Sequence, residues 1–567
     1  MNWRLRLKLL SGFFALLFFL LLSKLFYWQV LARESLSQIA LSQQQSTLSV
    51  PAKRGEIFLA DGSALAANQP GWLAYLIRRP DQELKPLAEK LAPILYPEAT
   101  DSAALNSLAA KLDQPEWQWL TLAKKLTQAQ KLALDGLDLD NLWFEPTQGR
   151  FYPEASMAAH FLGFVGSDSQ GNDQGYYGLE GYYHLELSGR PGIIKQDQDA
   201  LNQPILSGDY LVQEKKDGRT LQLSVNKSLQ FLVETKLKTA LERYGAKAGS
   251  VTVMDPGTGA ILAMASLPAY DPVKYPEFSP NLFTNPAVAD AFEPGSIFKV
   301  LVMAAAIDSE AVKPETSCDI CDGPVKIDKY TINTWNNEYY PDSTINDILV
   351  HSDNVGMVFV GQKLGLDKFL DYFNRFGFEE KTGIDLQDEA LPAIKSDSKW
   401  TYVDLATASF GQGFLATGIQ LLTAVSAIAN GGELVQPRLV EKIISEDRTL
   451  PLPVKLKRRV IRPETAVIVR DMMVAAVQAG EAKWAAVKGY KIAGKTGTAQ
   501  VAAGGRYEEE KTNASFIGFA PADKPKFAML VTLKEPSTSP WASETAAPLW
   551  FSIAQDLLNH FNVIPME

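Results

Sequence analysis

The sequence predicts an α+β protein: a single apolar helix at the N-terminus, then two mixed domains. Three observations carry this. At 567 residues the chain is longer than one hydrophobic core organises, so at least two domains are expected. Residues 9–32 form an apolar run long enough to cross a bilayer, and no second run approaches that length. In the second half, short apolar runs split by turn signals stand beside Ala- and Leu-rich helical runs, the pattern of an antiparallel sheet covered by helices. Hydrophobic residues make up 46% and charged residues 21% of the chain, as in a globular protein. The net charge of −10, without a basic patch, speaks against nucleic acid as a partner. There are two cysteines and four histidines. One Cys-x-x-Cys, Cys318 and Cys321, does not supply a metal site without convergent histidines, and no metal or organic cofactor is expected. The pair reads as a local disulfide or two idle thiols.

The elements follow in order. Residues 1–8 carry Arg4, Arg6 and Lys8 and no acid. Leu9 to Ala32, at about 1.5 Å per helical residue, spans roughly 36 Å. Positive charge ahead of the run places the N-terminus in the cytoplasm. Phe26, Tyr27 and Trp28 suit the far interface, to which Lys24 can snorkel. The other reading, a cleaved signal peptide ending near Val30-Leu31-Ala32, is less favoured because of the length of the run and its flanks. Residues 33–50 are polar and stalk-like. Two short strands around Asp61-Gly62 read as a hairpin. Residues 82–135 read as helical, broken at Pro97 and Pro115. His160 reads as a packed core histidine. A strand near 221–226 leads to a helix at 228–244, and two buried strands flank 255–259. Later strands are expected at 491–502, 514–520 and 526–534, and a last helix at 546–560.

Ser296 stands where a helix would begin and Lys299 three residues on, so both share one face. A serine hydroxyl needs a base to take its proton, and a lysine serves if burial or another cation lowers its pKa. Alone, Ser-x-x-Lys is common, and Ser296 could be an N-cap. It is followed, in order, by Ser352-Asp353-Asn354 and Lys495-Thr496-Gly497-Thr498. This set is the signature of serine β-lactamases and penicillin-binding proteins, and the chain resembles the latter from about residue 50 onwards. Residues 53–66 resemble the box that opens the non-catalytic module of class B members, with Leu59 where that box has Asp. Gly149-Arg150-Phe151-Tyr152-Pro153, Gly178-Leu179-Glu180 and 187–192 continue the likeness, with Arg150 and Glu180 as a structural ion pair. Phe410-Gly411-Gln412-Gly413, Thr417, Gln420 and 515–521 resemble the family around its site.

The resemblance implies a cytoplasmic tail (1–8), a membrane anchor (9–32), a non-catalytic, dimerisation-type pedestal (33–215) and a transpeptidase domain (216–567). Residues 33–215 show no glycosyltransferase motif, which points to a monofunctional class B enzyme. The implied reaction is D,D-transpeptidation: cleavage of the terminal D-Ala-D-Ala bond of a peptidoglycan stem peptide and transfer of the acyl group to a neighbouring amine. Ser296 is the implied nucleophile, Lys299 its base, Ser352 the proton relay and Asn354 the group that orients Lys299 and binds substrate amide. Which group is the base is disputed in this superfamily. Lys495 is a fixed cation, Thr496 and Thr498 bind a carboxylate, and Gly497 lets substrate backbone lie against the strand. The backbone N–H groups of Ser296 and Thr498 form the oxyanion hole. β-Lactams are expected to acylate Ser296. A SEDS-type glycan polymerase and other divisome membrane proteins are the implied partners, in a septal role before an elongation role. A carboxypeptidase or β-lactamase uses the same motifs with water as acceptor; a non-catalytic scaffold or β-lactam sensor is the reading of a different class. Residues 316–345, with Trp335, match the family least.

Overall fold

The computed structural model describes residues 2–79, 83–97, 102–114, 119–169, 171–197, 211–503 and 506–566. The expected break at Pro115 lies outside them. The chain divides into two compact units, residues 1–54 with 188–218, and residues 55–187 with 219–567.

In the first unit, Trp3–Phe26 is an α-helix continued by a π-helical turn, Tyr27–Leu31. This stretch is long and apolar enough to cross a membrane. The helix begins at Trp3, so Arg4, Arg6 and Lys8 lie on its first turns. The polar stretch expected as a stalk is helix Arg33–Gln44 and strand Gln45–Val50. That strand pairs antiparallel with Gly192–Asp197, which pairs with Leu211–Gln213.

In the second unit, the hairpin at Asp61-Gly62 forms: Ile57–Phe58 pairs with the start of Ala64–Ile77. Gly62 has φ +83°, and Asp61 Oδ1 accepts from both the backbone N–H and the hydroxyl of Ser63. Ala64–Ile77 also pairs with Leu142–Phe151 and with Trp119–Leu126. The last pairing corrects the helical reading of 82–135, which holds for Leu84–Leu95, Ser102–Leu112 and Gln128–Asp135 but not for 119–126. The ladder is irregular between Trp72 and Tyr75, and the strand's two buried residues, Leu122 and Leu126, stand four apart, a spacing that helix and strand share. Thr220–Leu223 pairs parallel with Ile57–Phe58 and antiparallel with Val440–Ile444, so this sheet runs on into the C-terminal part.

The sheet that carries the site has five antiparallel strands: β1 (Ala248–Met254), β2 (Ile261–Leu267), β3 (Ala493–Ala503), β4 (Arg506–Ala520) and β5 (Phe527–Lys534), in the order β2-β1-β5-β4-β3. It is covered on both faces. Along β5, Phe527, Met529, Val531 and Leu533 face helices Lys227–Tyr244 and Ala546–His560, while Ala528 and Leu530 join the cluster of the helices that hold the first two motifs. Three helices of that second half matter here: α1 (Lys299–Asp308), α2 (Asn354–Leu364) and α3 (Pro463–Ala479). Lys299 to Ile307 is buried throughout, as its all-round apolar composition requires. Cys318 and Cys321 form a disulfide, S–S 2.06 Å.

Candidate active site

Each motif reaches the site from a different element. Gly295–Phe298 is a 3₁₀ turn that runs into α1, so Ser296 sits ahead of the helix rather than inside it. Gly295 has φ +59°, a left-handed turn that a residue with a Cβ rarely adopts. The turn lies against β3: a Cβ on Gly295 would meet Ala499 Cβ at 3.3 Å and Thr498 O at 3.4 Å. Behind it, a Cβ on Gly411 would lie 2.0 Å from Gly295 O, so the Phe410–Gly413 segment must carry glycine to support the Ser296 turn.

The second motif connects Ile345–Val350 to α2. Ser352 has φ +55°, a conformation that costs an L-residue about 1–2 kcal/mol and here holds its hydroxyl between two lysines. Asp353 is the N-cap of α2: its Oδ1 accepts from Val355 N–H at 2.8 Å, so it faces the helix and not the cleft. Lys495, Thr496, Gly497 and Thr498 lie inside β3, the edge strand, which begins at Ala493 rather than at the expected residue 491.

These pieces converge. Lys299 Nζ donates to Ser352 O at 2.6 Å, to Asn354 Oδ1 at 2.8 Å and to Ser352 Oγ at 3.3 Å. Lys495 Nζ donates to Ser352 Oγ at 2.9 Å and to Thr496 Oγ1 at 3.2 Å. The hydroxyl of Ser352 thus touches both lysines. Lys299 is 0% exposed, and burial, then the neighbouring Lys495 charge, pushes its pKa well below the ordinary lysine value; Asp353 and Glu481 pull the other way. Lys495 is also lowered, by burial, against a pull from Glu481. Lys299 is therefore set up to give a proton away and accept another. No hydrogen bond joins Lys299 to Ser296 here; catalytic hydrogen bonds often tighten only when substrate is bound.

A cleft opens above these groups, lined by Ser296, Ser352, Asn354, Thr496 and Thr498. Thr498 Oγ1 accepts from Ala542 N–H at 3.1 Å and Thr496 Oγ1 accepts from Lys495, which leaves each hydroxyl proton to donate to an anion. Asn354 uses both ends of its amide, since Nδ2 donates to Asn333 O at 3.2 Å; one N–H remains for substrate. Gly497 does not line the cleft. A Cβ there would meet Ile297 Cγ2 at 2.7 Å and Ser515 Oγ at 2.9 Å, so its glycine seats the nucleophile turn on β3 rather than making room for substrate backbone.

Sequence reasoning missed several groups. Trp335 and Trp541 line the cleft with ring centroids 5.2 Å apart. Trp335 comes from the unmatched stretch 316–345, which is tied to the second motif by Asn333 O and by Trp335 Nε1 donating to His351 O at 3.2 Å. Glu481 lines the cleft from just beyond α3. No spacing marks any of them, because each reaches the site from a loop.

Comparison with known proteins agrees with this geometry. Residues 249–559 match the model for the penicillin-binding protein transpeptidase domain, and residues 49–223 the model for the penicillin-binding protein dimerisation domain. The chain is 32% identical to stage V sporulation protein D of Bacillus subtilis, over 100% of this chain and 87% of that one. It is 28% identical to the probable peptidoglycan D,D-transpeptidase PenA of Neisseria meningitidis, over 98% and 92%. Among solved structures, penicillin-binding protein 3 of Mycobacterium tuberculosis in complex with aztreonam superposes with a TM-score of 0.70 at 25% identity, covering 92% of this chain and 98% of that one. The chain belongs to the penicillin-binding proteins, in the class B arrangement of a dimerisation domain ahead of a transpeptidase domain.

Proposed function

We propose that this peptidoglycan D,D-transpeptidase works through an acyl-enzyme on Ser296. The observation that carries the reading is the hydroxyl of Ser352 held between two buried lysines beside the nucleophile turn. Lys299, lowered in pKa, takes the Ser296 proton as Oγ attacks the carbonyl of the penultimate D-Ala of a stem peptide. Ser352 relays a proton to the departing D-Ala nitrogen, and Asn354 holds Lys299 in place. The terminal carboxylate is received by Lys495 with the hydroxyls of Thr496 and Thr498. The oxyanion is received by the N–H groups of Ser296 and Thr498. The first residues of a helical turn have no partner within it, and an edge strand leaves alternate N–H groups unpaired. An acceptor amine of a second stem then attacks the ester, Ser296 leaves with a proton, and a cross-link remains. β-Lactams enter the same path and stop at the acyl-enzyme.

The domain limits 1–8, 9–32, 33–215 and 216–567 are the working division. The apolar helix at Trp3–Leu31 fits a single-pass anchor of the cell membrane, with the N-terminus cytoplasmic and the site outside. A SEDS-type polymerase is the proposed partner of this anchored enzyme, in septal synthesis; a fluorescent fusion collecting at midcell supports that role, and lateral-wall signal opposes it.

The test of the reaction uses the full chain in detergent with a D-Ala-D-Ala pentapeptide and a second stem as acceptor. Release of D-Ala with a cross-linked dimer, abolished in Ser296→Ala, is the expected outcome. Release of D-Ala with free tetrapeptide alone would make the enzyme a carboxypeptidase.

A further inference from the structure

Glu481 enters the site from outside the three motifs. It follows Gly480, whose N–H donates to Ala476 O and ends α3. Its side chain lines two spaces at once: the open cleft with Ser296 and Ser352, and an adjoining narrow gap, with room for about one water, that Lys495 and Phe516 also line. It makes no hydrogen bond and no ion pair among the described residues, so neither structure nor surface chemistry accounts for its place.

The charged groups around the two lysines come from four elements. Lys299 stands on α1 and Lys495 on β3. Asp353, at the start of α2, is committed to capping Val355. Tyr340 and His351 stack beside that motif, with ring centroids 4.0 Å apart. Glu481 comes from the end of α3. Of the two carboxylates, Glu481 is the one whose charge acts on Lys495, and its pull on Lys299 ranks behind that of Asp353.

Two ammonium groups that share one hydroxyl cannot both stay charged cheaply in a buried site. The reaction needs them to differ: one a base, the other a cation. We propose that Glu481 is a positioning residue, the countercharge that holds Lys495 as the ammonium over Ser352 and so leaves Lys299 as the lysine that gives up its proton. This rests on the acyl-enzyme reading above. The carboxylate acts across this narrow gap rather than through a salt bridge, which keeps the Lys495 N–H groups directed at Ser352 and Thr496.

The experiment is the pH profile of Ser296 acylation by a penicillin, followed by intact mass with the full chain as wild type, Glu481→Gln and Glu481→Asp. The rate rises with pH as Lys299 loses its proton and falls as Lys495 loses its own. Removing the carboxylate lowers both pKa values, and the alkaline limb, which belongs to Lys495, moves further. In Glu481→Gln that limb is expected to shift down by about one unit, a tenfold lower rate beyond it, and Glu481→Asp to restore most of the shift. Unmoved limbs, or an equal loss at every pH, would overturn the proposal. A wild-type protein that forms no adduct would instead overturn the acyl-enzyme reading beneath it.

Discussion

Glycine 497 shows how one residue joins packing to chemistry. It lies one position after Thr496 and one before Thr498, yet the missing Cβ faces the nucleophile turn, with Ile297 Cγ2 at 2.7 Å and Ile297 N at 3.2 Å from where it would stand. A methyl there cannot be absorbed by a flexible side chain alone, because backbone is also in the way. The variant Gly497→Ala is expected to fold and to lose acylation by about 10²–10³-fold, the usual effect of displacing one oxyanion donor. Stopped-flow acylation with a chromogenic cephalosporin measures it. A loss under threefold would mean that the turn and β3 need not be in register for catalysis. Ser352 makes the same point from the backbone: a left-handed serine is tolerated where its hydroxyl has two lysines to serve.

At the scale of elements, buried polar groups fix how the parts meet. Arg150, on strand Leu142–Phe151, donates through Nε to Glu180 at 2.7 Å with both side chains almost fully buried, and through Nη1 to Gly55 O at 2.7 Å. The ion pair expected from the sequence is therefore a joint between segments far apart in the chain. His160, on the short helix Ala159–Leu162, packs against Tyr270 at 5.6 Å between ring centroids, and burial lowers its pKa from 6.5 to about 4. Above pH 6.5 both folded and unfolded states hold it neutral, and its contribution is intact. Between pH 6.5 and 4 the unfolded chain takes up a proton that the folded chain refuses, so stability falls by up to about 3 kcal/mol and then levels off. Urea unfolding of the full chain at pH 7 and pH 4.5 should show this, with the pH dependence reduced in His160→Asn. An identical dependence in the variant would assign the loss to other groups. These elements also show what was legible. The helix at 546–560 and the strands at 526–534 and 514–520 follow from strong apolar runs with clear ends, and they lie within a residue of expectation or inside the longer strand. Trp119–Leu126 was not legible, because its two buried residues stand four apart, a spacing that helix and strand share. The three motifs were legible because short-range geometry holds their members together. Trp335, Trp541 and Glu481 were not, because only tertiary packing brings those loops to Ser296.

The whole molecule places Ser296 on a fixed scaffold. The five-stranded sheet supplies the edge strand β3, the buried α1 supplies Lys299, and the start of α2 supplies Asn354, while the pedestal strands join the same unit through Thr220–Leu223. Family membership extends over both modules. The central claim is that Ser296 becomes acylated and stays so. The direct measurement is intact-protein mass after incubation of the full chain with benzylpenicillin, beside Ser296→Ala. The account predicts one stable adduct of the drug's mass on the wild type and none on the variant. An unmodified wild type, or an adduct that persists in Ser296→Ala, would contradict it.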